Sequence, residues 1–241
     1  MTVIQEISTL YRMALAPIRG ATHAQRLESF YGAQAQGYDD FRQRLLQGRR
    51  ELINELNFSP GEIWLDMGAG TGANLDFVTH LVPDLRQVYL VDLCSSLLSV
   101  AEERIAAHHW CNVDTIRADA VGFKPPHQVD VITFSYSLTM IPNWIQTLIH
   151  ARSLLKPGGR IGVVDFYVSQ KHPAPGRVRH NWWLRHFWPI WFETDNVHPS
   201  PDHLPFLSDT FNPQTIVETT AKVPYLPVIR VPYYRFVGRR R

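Results

Sequence analysis

The sequence predicts a doubly wound α/β fold with a mostly parallel sheet. From residue 59 to residue 166, short apolar runs alternate with stretches at helical spacing, and the connections are short. The run Val129–Ser135 is nearly all apolar, as expected for a strand buried on both faces. This alternation implies parallel strands joined by right-handed crossovers, the arrangement of a Rossmann-like domain.

Each element follows from its local pattern. Strands are predicted at 62–67, 87–92, 113–117, 129–135 and 160–166, with helices at 73–81, 95–108 and 144–155. Amphipathic helical spacing before the first strand predicts helices within 1–20 and 23–57. After the fifth strand the pattern predicts an irregular insertion, 167–213, with one aromatic helix near 179–192, then short sheet-closing elements at 216–220 and 228–237.

These elements suggest three parts within a single domain. Residues 1–58 form an N-terminal helical cap, 59–166 an α/β core, and 167–241 a substrate-side insertion with the sheet-closing elements.

Composition narrows the class of protein. The 241 residues carry a net charge of +2 and are 45% hydrophobic, so no polyanionic partner is demanded. No run approaches the ~20 apolar residues of a membrane span, and no signal peptide is recognised. We therefore expect a cytoplasmic protein whose membrane contact, if any, is peripheral at the inner face. The C-terminal residues 222–241 carry six basic side chains and no acid, which suits a solvated tail or an anionic surface.

A glycine-rich turn follows the first predicted strand. The stretch Leu65–Gly72 reads LDMGAGTG and lies between a strand and a helix. Glycines there allow a sharp turn and the close approach of a ligand. A dinucleotide-binding loop usually reads GxGxxG, whereas this one reads GxGxG. That difference argues against a NAD-dependent dehydrogenase.

Carboxylates follow the next two strands. Asp92 ends the second strand, where it could accept hydrogen bonds from both ribose hydroxyls of a nucleoside or cap the following helix. Its register with the glycine-rich turn favours ligand contact. Asp119 follows the third strand, at the same edge of the sheet, where it could meet an adenine amino group.

The order of these motifs resembles the class I S-adenosylmethionine (SAM) methyltransferases. The resemblance covers residues 60–166 and rests on Leu65–Leu75, Val91-Asp92, Asp119-Ala120, Val129–Tyr136 and Leu154–Gly159. It implies SAM as the cofactor and S-adenosylhomocysteine as the product. The implied cofactor-binding residues are Tyr38, Asp66, Gly68, Ala69, Gly70, Asp92, Leu93, Asp119, Ala120 and Ser135. Asp66 could instead fix the loop, and Tyr38, a lid in many such enzymes, could be ordinary core.

Aromatic residues mark the predicted acceptor side. Six of them fall between Trp182 and Phe192, where they could wall a quaternary ammonium group or simply pack onto the sheet. The segments 30–49, 187–192 and 203–207, with Asp195 and Val197, resemble the betaine-lipid N-methyltransferases. That resemblance implies threefold methylation of the amino group of diacylglyceryl-homoserine, and association with the synthase that makes this lipid.

Three residues are candidates for accepting a proton or orienting the acceptor. Tyr136 and Asp165 lie near strand ends, and His203 lies within the insertion. The candidates for pairing with the homoserine carboxylate are Arg177, Arg179 and Arg185. The scattered histidines share no ligand spacing, so no metal site is expected. The small net charge gives no reason to expect a nucleic-acid partner.

Three alternatives stay open at this point. One is a SAM-dependent methyltransferase of a small aromatic or quinone acceptor. Another is transfer of the aminocarboxypropyl group of SAM, which would release methylthioadenosine. The third is a SAM-binding protein without methyl transfer.

Overall fold

The computed structural model describes residues 20–31, 45–193, 196–223 and 226–241. Tyr38, Asp195, the predicted helix within 1–20 (except Gly20) and most of the predicted segment 30–49 lie outside the described residues. The strands are β1 (Ile63–Met67), β2 (Gln87–Asp92), β3 (Val113–Arg117), β4 (Val129–Ser135), β5 (Leu155–Phe166), β6 (Asn212–Val223) and β7 (Leu226–Arg239). The α-helices are α1 (His23–Tyr31), α2 (Arg49–Glu55), α3 (Ser95–His108), α4 (Trp144–Leu154), α5 (Trp182–Glu193) and α6 (His203–Thr210). Short 3₁₀ turns occupy Ala73–Phe77, Val82–Asp84 and Leu138–Met140.

The described strands form one seven-stranded sheet in the order β3-β2-β1-β4-β5-β7-β6. Strands β1 to β5 are parallel, and β7 pairs antiparallel with both β5 and β6. The strand order reverses between β1 and β4, where open α/β sheets bind their ligands. The doubly wound, mostly parallel fold predicted from the sequence is therefore confirmed.

The central strands are buried on both faces. All five residues of β1 are inaccessible to solvent, and Trp64 donates its indole N–H to the Thr133 hydroxyl on β4 at 2.8 Å. One apolar cluster on each side of the sheet follows from this double burial. The sheet is thus a rigid frame for the loops at the carboxyl ends of its strands.

Several elements differ from their predicted bounds. The predicted helix 73–81 is a 3₁₀ turn over Ala73–Phe77, and β5 begins at Leu155, so it includes the predicted turn 156–159. The two sheet-closing elements are long strands, β6 and β7, which belong to the same sheet as the core. Within the predicted irregular insertion lies the unpredicted helix α6.

Candidate active site

A cavity of about 240 Å³ opens at the carboxyl ends of the parallel strands. The loops after β1, β2, β3 and β4 line it, together with residues from α1 and α2. The predicted residues on its wall are Gly68, Ala69, Gly70, Asp92, Leu93, Asp119, Ala120, Ser135 and Tyr136. The structure thus brings nine sequence-predicted residues to one site.

Gly68 begins the glycine-rich loop and adopts a left-handed backbone, with φ of +73°. A Cβ added there would lie 2.3 Å from the Cβ of Ser137, closer than two carbon atoms can approach. Ser137 itself is fixed, because its hydroxyl donates to the Met67 carbonyl at 2.8 Å. Any side chain at position 68 would therefore push the loop after β1 away from the loop after β4, and only glycine allows the two loops to pack together.

Asp92 holds the glycine-rich loop to the end of β2. One carboxylate oxygen accepts the Gly70 amide N–H at 2.8 Å, and the other accepts the Cys94 amide N–H at the same distance. Burial raises the pKa of Asp92, and these amide donors partly offset the rise. Each oxygen keeps further acceptor capacity on the cavity wall, which suits the hydroxyl groups of a ribose.

Asp119 and Ala120 line the cavity beyond the end of β3. The Asp119 carboxylate accepts the Val121 amide N–H at 3.0 Å, which closes a turn, and the side chain is exposed. The second carboxylate oxygen could accept a hydrogen bond from the exocyclic amino group of an adenine. This placement suits the adenine contact implied by the sequence.

Ser135 and Tyr136 line the wall at the end of β4. The Ser135 hydroxyl is buried without a hydrogen-bond partner among the described residues, so a ligand group in the cavity could satisfy it. Tyr136 has a left-handed backbone, with φ of +55°, which is rare for a bulky side chain. Its amide N–H donates to Val164 at 2.8 Å and its hydroxyl donates to the Gln47 carbonyl at 2.6 Å, and both bonds fix this conformation.

The sequence analysis missed part of the cavity wall. Leu27 and Tyr31 of α1 and Arg49 of α2 also line it. Tyr31 donates its hydroxyl to the Met140 sulfur at 3.0 Å, and Arg49 donates to the Asn74 side-chain oxygen at 2.9 Å and 3.1 Å. Tyr31 and Arg49 fall in the segment 30–49 that carried the narrower family resemblance, but no pattern predicted that they would line the cavity. They reach it through the packing of α1 and α2, which local spacing does not show.

Asp66 does not line the cavity, which corrects its predicted role as a cofactor contact. Its carboxylate is fully buried beneath the loop, where it accepts hydrogen bonds from Asn74 at 2.9 Å and Thr133 at 2.6 Å. Burial raises the pKa of Asp66, although the hydrogen bonds from Thr133 and Asn74 oppose the rise. Because the Asn74 side-chain oxygen also accepts hydrogen bonds from Arg49, Asp66 positions the cavity wall from behind. It does so through side-chain contacts, which agrees with the alternative that Asp66 fixes the loop.

Asp165 also lies behind the cavity wall, contrary to its predicted catalytic role. Its buried carboxylate accepts the Thr139 amide N–H at 3.0 Å, the Thr139 hydroxyl at 2.7 Å and the Phe166 amide N–H at 2.8 Å. Burial raises the pKa of Asp165 to about 7, although the Thr139 and Phe166 donors oppose the rise. It acts as a positioning residue for the turn Leu138–Met140, and Met140 reaches the cavity.

His203 is the third correction. Its ring is fully buried between Trp144 and Tyr234, with ring centroids 4.7 Å and 6.2 Å away, and it does not line the cavity. Burial lowers its pKa to about 3, so the ring is neutral in the folded protein. Such a group packs the sheet against α4 and α6 and has no route to an acceptor.

The aromatic segment divides between two environments. Trp188 and Phe192 of α5 are buried, and the Phe192 ring stacks on Phe166 with centroids 4.8 Å apart. Leu184 is partly buried, while Trp182, Trp183, Phe187, Ile190 and Trp191 are exposed. Phe166 in turn contacts Tyr136 at 4.6 Å, which connects α5 to the cavity wall. Within the described residues, no group of three or more histidine, cysteine, aspartate or glutamate side chains could hold a metal ion.

Known proteins carry the same architecture. The family described as "Methyltransferase domain" matches residues 37–211, which is most of the chain. The chain belongs to this methyltransferase family. The match and the cavity confirm the predicted SAM-dependent methyltransferase domain, with SAM as its cofactor.

One curated relative is a ubiquinone/menaquinone biosynthesis C-methyltransferase of Teredinibacter turnerae, 28% identical over 64% of this chain and 64% of its own length. The chain spans about half to two thirds of the length of the first such relatives. None of those reported is a betaine-lipid enzyme, so the narrower family resemblance is not shown.

Solved structures agree on the fold. A phosphoethanolamine N-methyltransferase of Haemonchus contortus, in complex with phosphomonomethylethanolamine and S-adenosylhomocysteine, superposes with a TM-score of 0.69 at 14% identity, over 92% of this chain and 60% of that one. The 1,6-didemethyltoxoflavin N1-methyltransferase of Burkholderia thailandensis superposes with a TM-score of 0.62 at 18% identity, over 94% and 93%.

Proposed function

We propose that the chain transfers methyl groups from SAM to the amino group of diacylglyceryl-homoserine, up to the trimethylated betaine lipid. Bound SAM supplies an electrophilic methyl group on a sulfonium. The glycine-rich loop and Asp92 would hold the nucleoside, and the Tyr136 side of the cavity would receive the acceptor. Alignment of the two reactants and exclusion of water supply most of the rate for such a transfer.

The observation that carries the choice of an amine is the set of titratable groups on the cavity wall. The only carboxylates among the described lining residues are Asp92 and Asp119, on the nucleoside side, and no histidine or lysine lines the wall. Tyr136 is no base, since burial raises its pKa well above 10 and its hydroxyl donates to Gln47. The acceptor must therefore lose its proton without help from these residues.

An amine meets that condition more easily than a ring carbon. An amine becomes a nucleophile once its ammonium proton is lost to water, whereas a ring carbon must be activated by a phenolate and must afterwards lose a second proton from the methylated carbon. Repeated methylation also ends in a quaternary ammonium, which aromatic faces attract. Tyr31 and Tyr136 line the cavity and offer such rings.

The narrower choice of a homoserine lipid rests on the sequence resemblance of segments 187–192 and 203–207. These segments lie in α5 and α6, and α5 is one aromatic contact away from Phe166. Association with the homoserine-lipid synthase, and a place at the inner face of the membrane, stay predictions that follow from this proposal.

A second candidate is methylation of a quinone precursor at a ring carbon. It is favoured by the curated relatives, which are named as C-methyltransferases of ubiquinone and menaquinone biosynthesis. The same cavity could align either acceptor, and the two differ in the base that they need.

The test is a direct comparison of acceptors. Purified chain and SAM are incubated with diacylglyceryl-homoserine or with a demethylmenaquinol in the same detergent micelles, and products are analysed by mass spectrometry. We expect the homoserine lipid to gain one, two and three methyl groups with matching release of S-adenosylhomocysteine, and the Asp92→Asn protein to give the background. Methylation of the quinol alone would replace the proposal with the second candidate. Release of methylthioadenosine would point to aminocarboxypropyl transfer.

A further inference from the structure

Helix α5 exposes an unusually apolar face. Its exposed large side chains, with fractional exposures of 57%, 73%, 39%, 74% and 47%, are Trp182, Trp183, Phe187, Ile190 and Trp191. Single exposed apolar residues are ordinary on protein surfaces, but a contiguous patch of this kind marks an interaction site. We call these five residues the α5 face.

The segment that carries the α5 face is basic. From residue 166 to residue 192 the sequence contains no aspartate or glutamate. Lys171 and Arg179 are exposed, and Arg185 lies on α5 itself. Arg177 is paired with Glu218 at 3.8 Å, and the exposed acid Glu193, at the end of the helix, lies 3.5 Å from His198. The segment therefore carries more cations than acids, and Glu193 is the acid at its far end.

The buried side of the same helix leads to the cavity. Four aromatic rings contact one another in sequence from the helix to the cavity wall. The ring centroids of Trp188 and Phe192 lie 5.4 Å apart, and those of Phe192 and Phe166 lie 4.8 Å apart. The Phe166 ring in turn contacts Tyr136 on the cavity wall, with centroids 4.6 Å apart. Whatever the α5 face binds is thus held close to the side of the cavity that would receive the acceptor.

We propose that the α5 face docks on an anionic lipid bilayer. Tryptophan side chains favour the boundary between head groups and acyl chains, and neighbouring cations are attracted by anionic lipids. A nucleic acid would call for cations across the contact surface, whereas the centre of this face is apolar. The biological purpose of this contact, delivery of a lipid acceptor, rests on the proposed function, but bilayer binding itself does not.

The experiment measures binding of the full chain to vesicles by sedimentation. Vesicles of phosphatidylglycerol and phosphatidylcholine in equal parts are compared with vesicles of phosphatidylcholine alone. We expect tighter binding to the anionic vesicles, weakened by salt. The double variant Trp183→Ser/Ile190→Ser should bind roughly tenfold more weakly or worse, because both side chains lose their apolar burial in the bilayer.

Matched controls separate this face from general surface effects. Ile145→Ser/Ile149→Ser alters two exposed isoleucines on α4 and should leave binding unchanged. Lys171→Glu/Arg179→Glu should weaken binding to anionic vesicles, whereas Lys124→Glu/Arg152→Glu, at other exposed positions, should do so far less. Unchanged affinity for S-adenosylhomocysteine shows that each variant is folded.

The outcomes are distinct. Vesicle binding that is absent in the unaltered chain, or equal in the Trp183→Ser/Ile190→Ser protein, overturns the proposal. A dimer that this double variant converts to monomer also overturns it, since the face would then join two copies. If vesicles bind through this face but the homoserine lipid is not methylated, the docking proposal stands and the proposed acceptor fails.

Discussion

Asp92 serves both the loop and the ligand side of the cavity. Its two oxygens accept the amides of Gly70 and Cys94, which shapes the turn even before a nucleoside binds. An asparagine could accept at one oxygen only, so substitution affects loop geometry and ligand contact together. The sequence predicted this residue from its register with the glycine-rich loop, which favoured ligand contact over capping of the following helix.

Gly68→Ala tests whether the close approach of two loops is needed. The new Cβ would overlap Ser137 and also occupy a left-handed backbone, so we expect a loss of about 3 kcal/mol or more in the free energy of unfolding. Affinity for S-adenosylhomocysteine should fall with it, because the loop must shift. Urea denaturation and calorimetry measure the two quantities.

Gly61→Ala is the matched control. Gly61 also has a left-handed backbone, with φ of +79°, but a Cβ there meets nothing within 4 Å. Gly61→Ala should lower the free energy of unfolding by only about 1–2 kcal/mol and leave the affinity for S-adenosylhomocysteine unchanged. Equal effects of the two substitutions would show that the left-handed backbone, and not the contact with Ser137, determines the cost of Gly68→Ala.

His203 gives a prediction for pH. Its pKa is about 3 in the folded protein and about 6.5 when unfolded, so the unfolded chain binds the extra proton between these values. Stability from this group is complete above pH 6.5 and is lost as the pH falls towards 3, by about 2 kcal/mol at pH 5.

The His203→Leu protein should lack this loss, and its stability difference from the unaltered chain should change by about that amount between pH 7.5 and 5. His127→Leu, at an exposed position, is the control. Methyl transfer by His203→Leu should persist at neutral pH. An abolished reaction in a folded variant would restore the catalytic role that its burial argues against.

At the scale of elements, α1 is fastened over the cavity by one carboxylate. Glu28 accepts hydrogen bonds from the hydroxyls of Ser95, at 3.1 Å, and Ser96, at the start of α3. Burial raises the pKa of Glu28, but the donors from Ser96 and its neighbours outweigh it and lower the pKa overall. The contact is therefore present above pH 4.5 and weakens as the pH falls below the folded value.

Glu28→Gln should release part of this contact and expose the cavity beneath Leu27 and Tyr31. Hydrogen bonds to a charged group contribute about 1.5–3 kcal/mol, so we expect affinity for S-adenosylhomocysteine at pH 7 to fall roughly tenfold. Glu103→Gln, on the exposed side of α3, should change nothing. Calorimetry that finds equal affinities for both variants would show that α1 contributes little to the site.

Strands β1 to β4 and the long helices of the core were predictable because their burial is repeated along the chain. The short elements were not. Helix α6 spans eight residues, contains Pro205 and buries only His203, Leu204 and Leu207, so its periodicity is too brief to recognise. The predicted helix 73–81 is a 3₁₀ turn that ends at Phe77. Near its start, the Asn74 side chain donates a hydrogen bond to Asp66 on β1, and the spacing of apolar residues does not reveal this contact.

At the scale of the whole molecule, the sheet explains both the successes and the errors of sequence interpretation. Residues directly after parallel strands share one edge, so the nucleoside side of the cavity follows from the motifs. Asp165 and His203 were misplaced because β7 enters the sheet beside β5. Asp165 pairs with Tyr234 across these two strands, and the ring of Tyr234 packs against His203. In the sequence, Tyr234 lies about 70 positions from Asp165 and about 30 from His203, so local patterns show neither contact.

Calorimetry with S-adenosylhomocysteine tests most directly whether this cavity binds the sulfonium nucleoside through Asp92. We expect one site per chain, affinity at least roughly tenfold weaker in Asp92→Asn, and no change in Asp114→Asn, whose exposed carboxylate accepts a hydrogen bond from Gln87 away from the cavity. Absence of binding to the unaltered chain, or undiminished affinity in Asp92→Asn, would contradict this expectation.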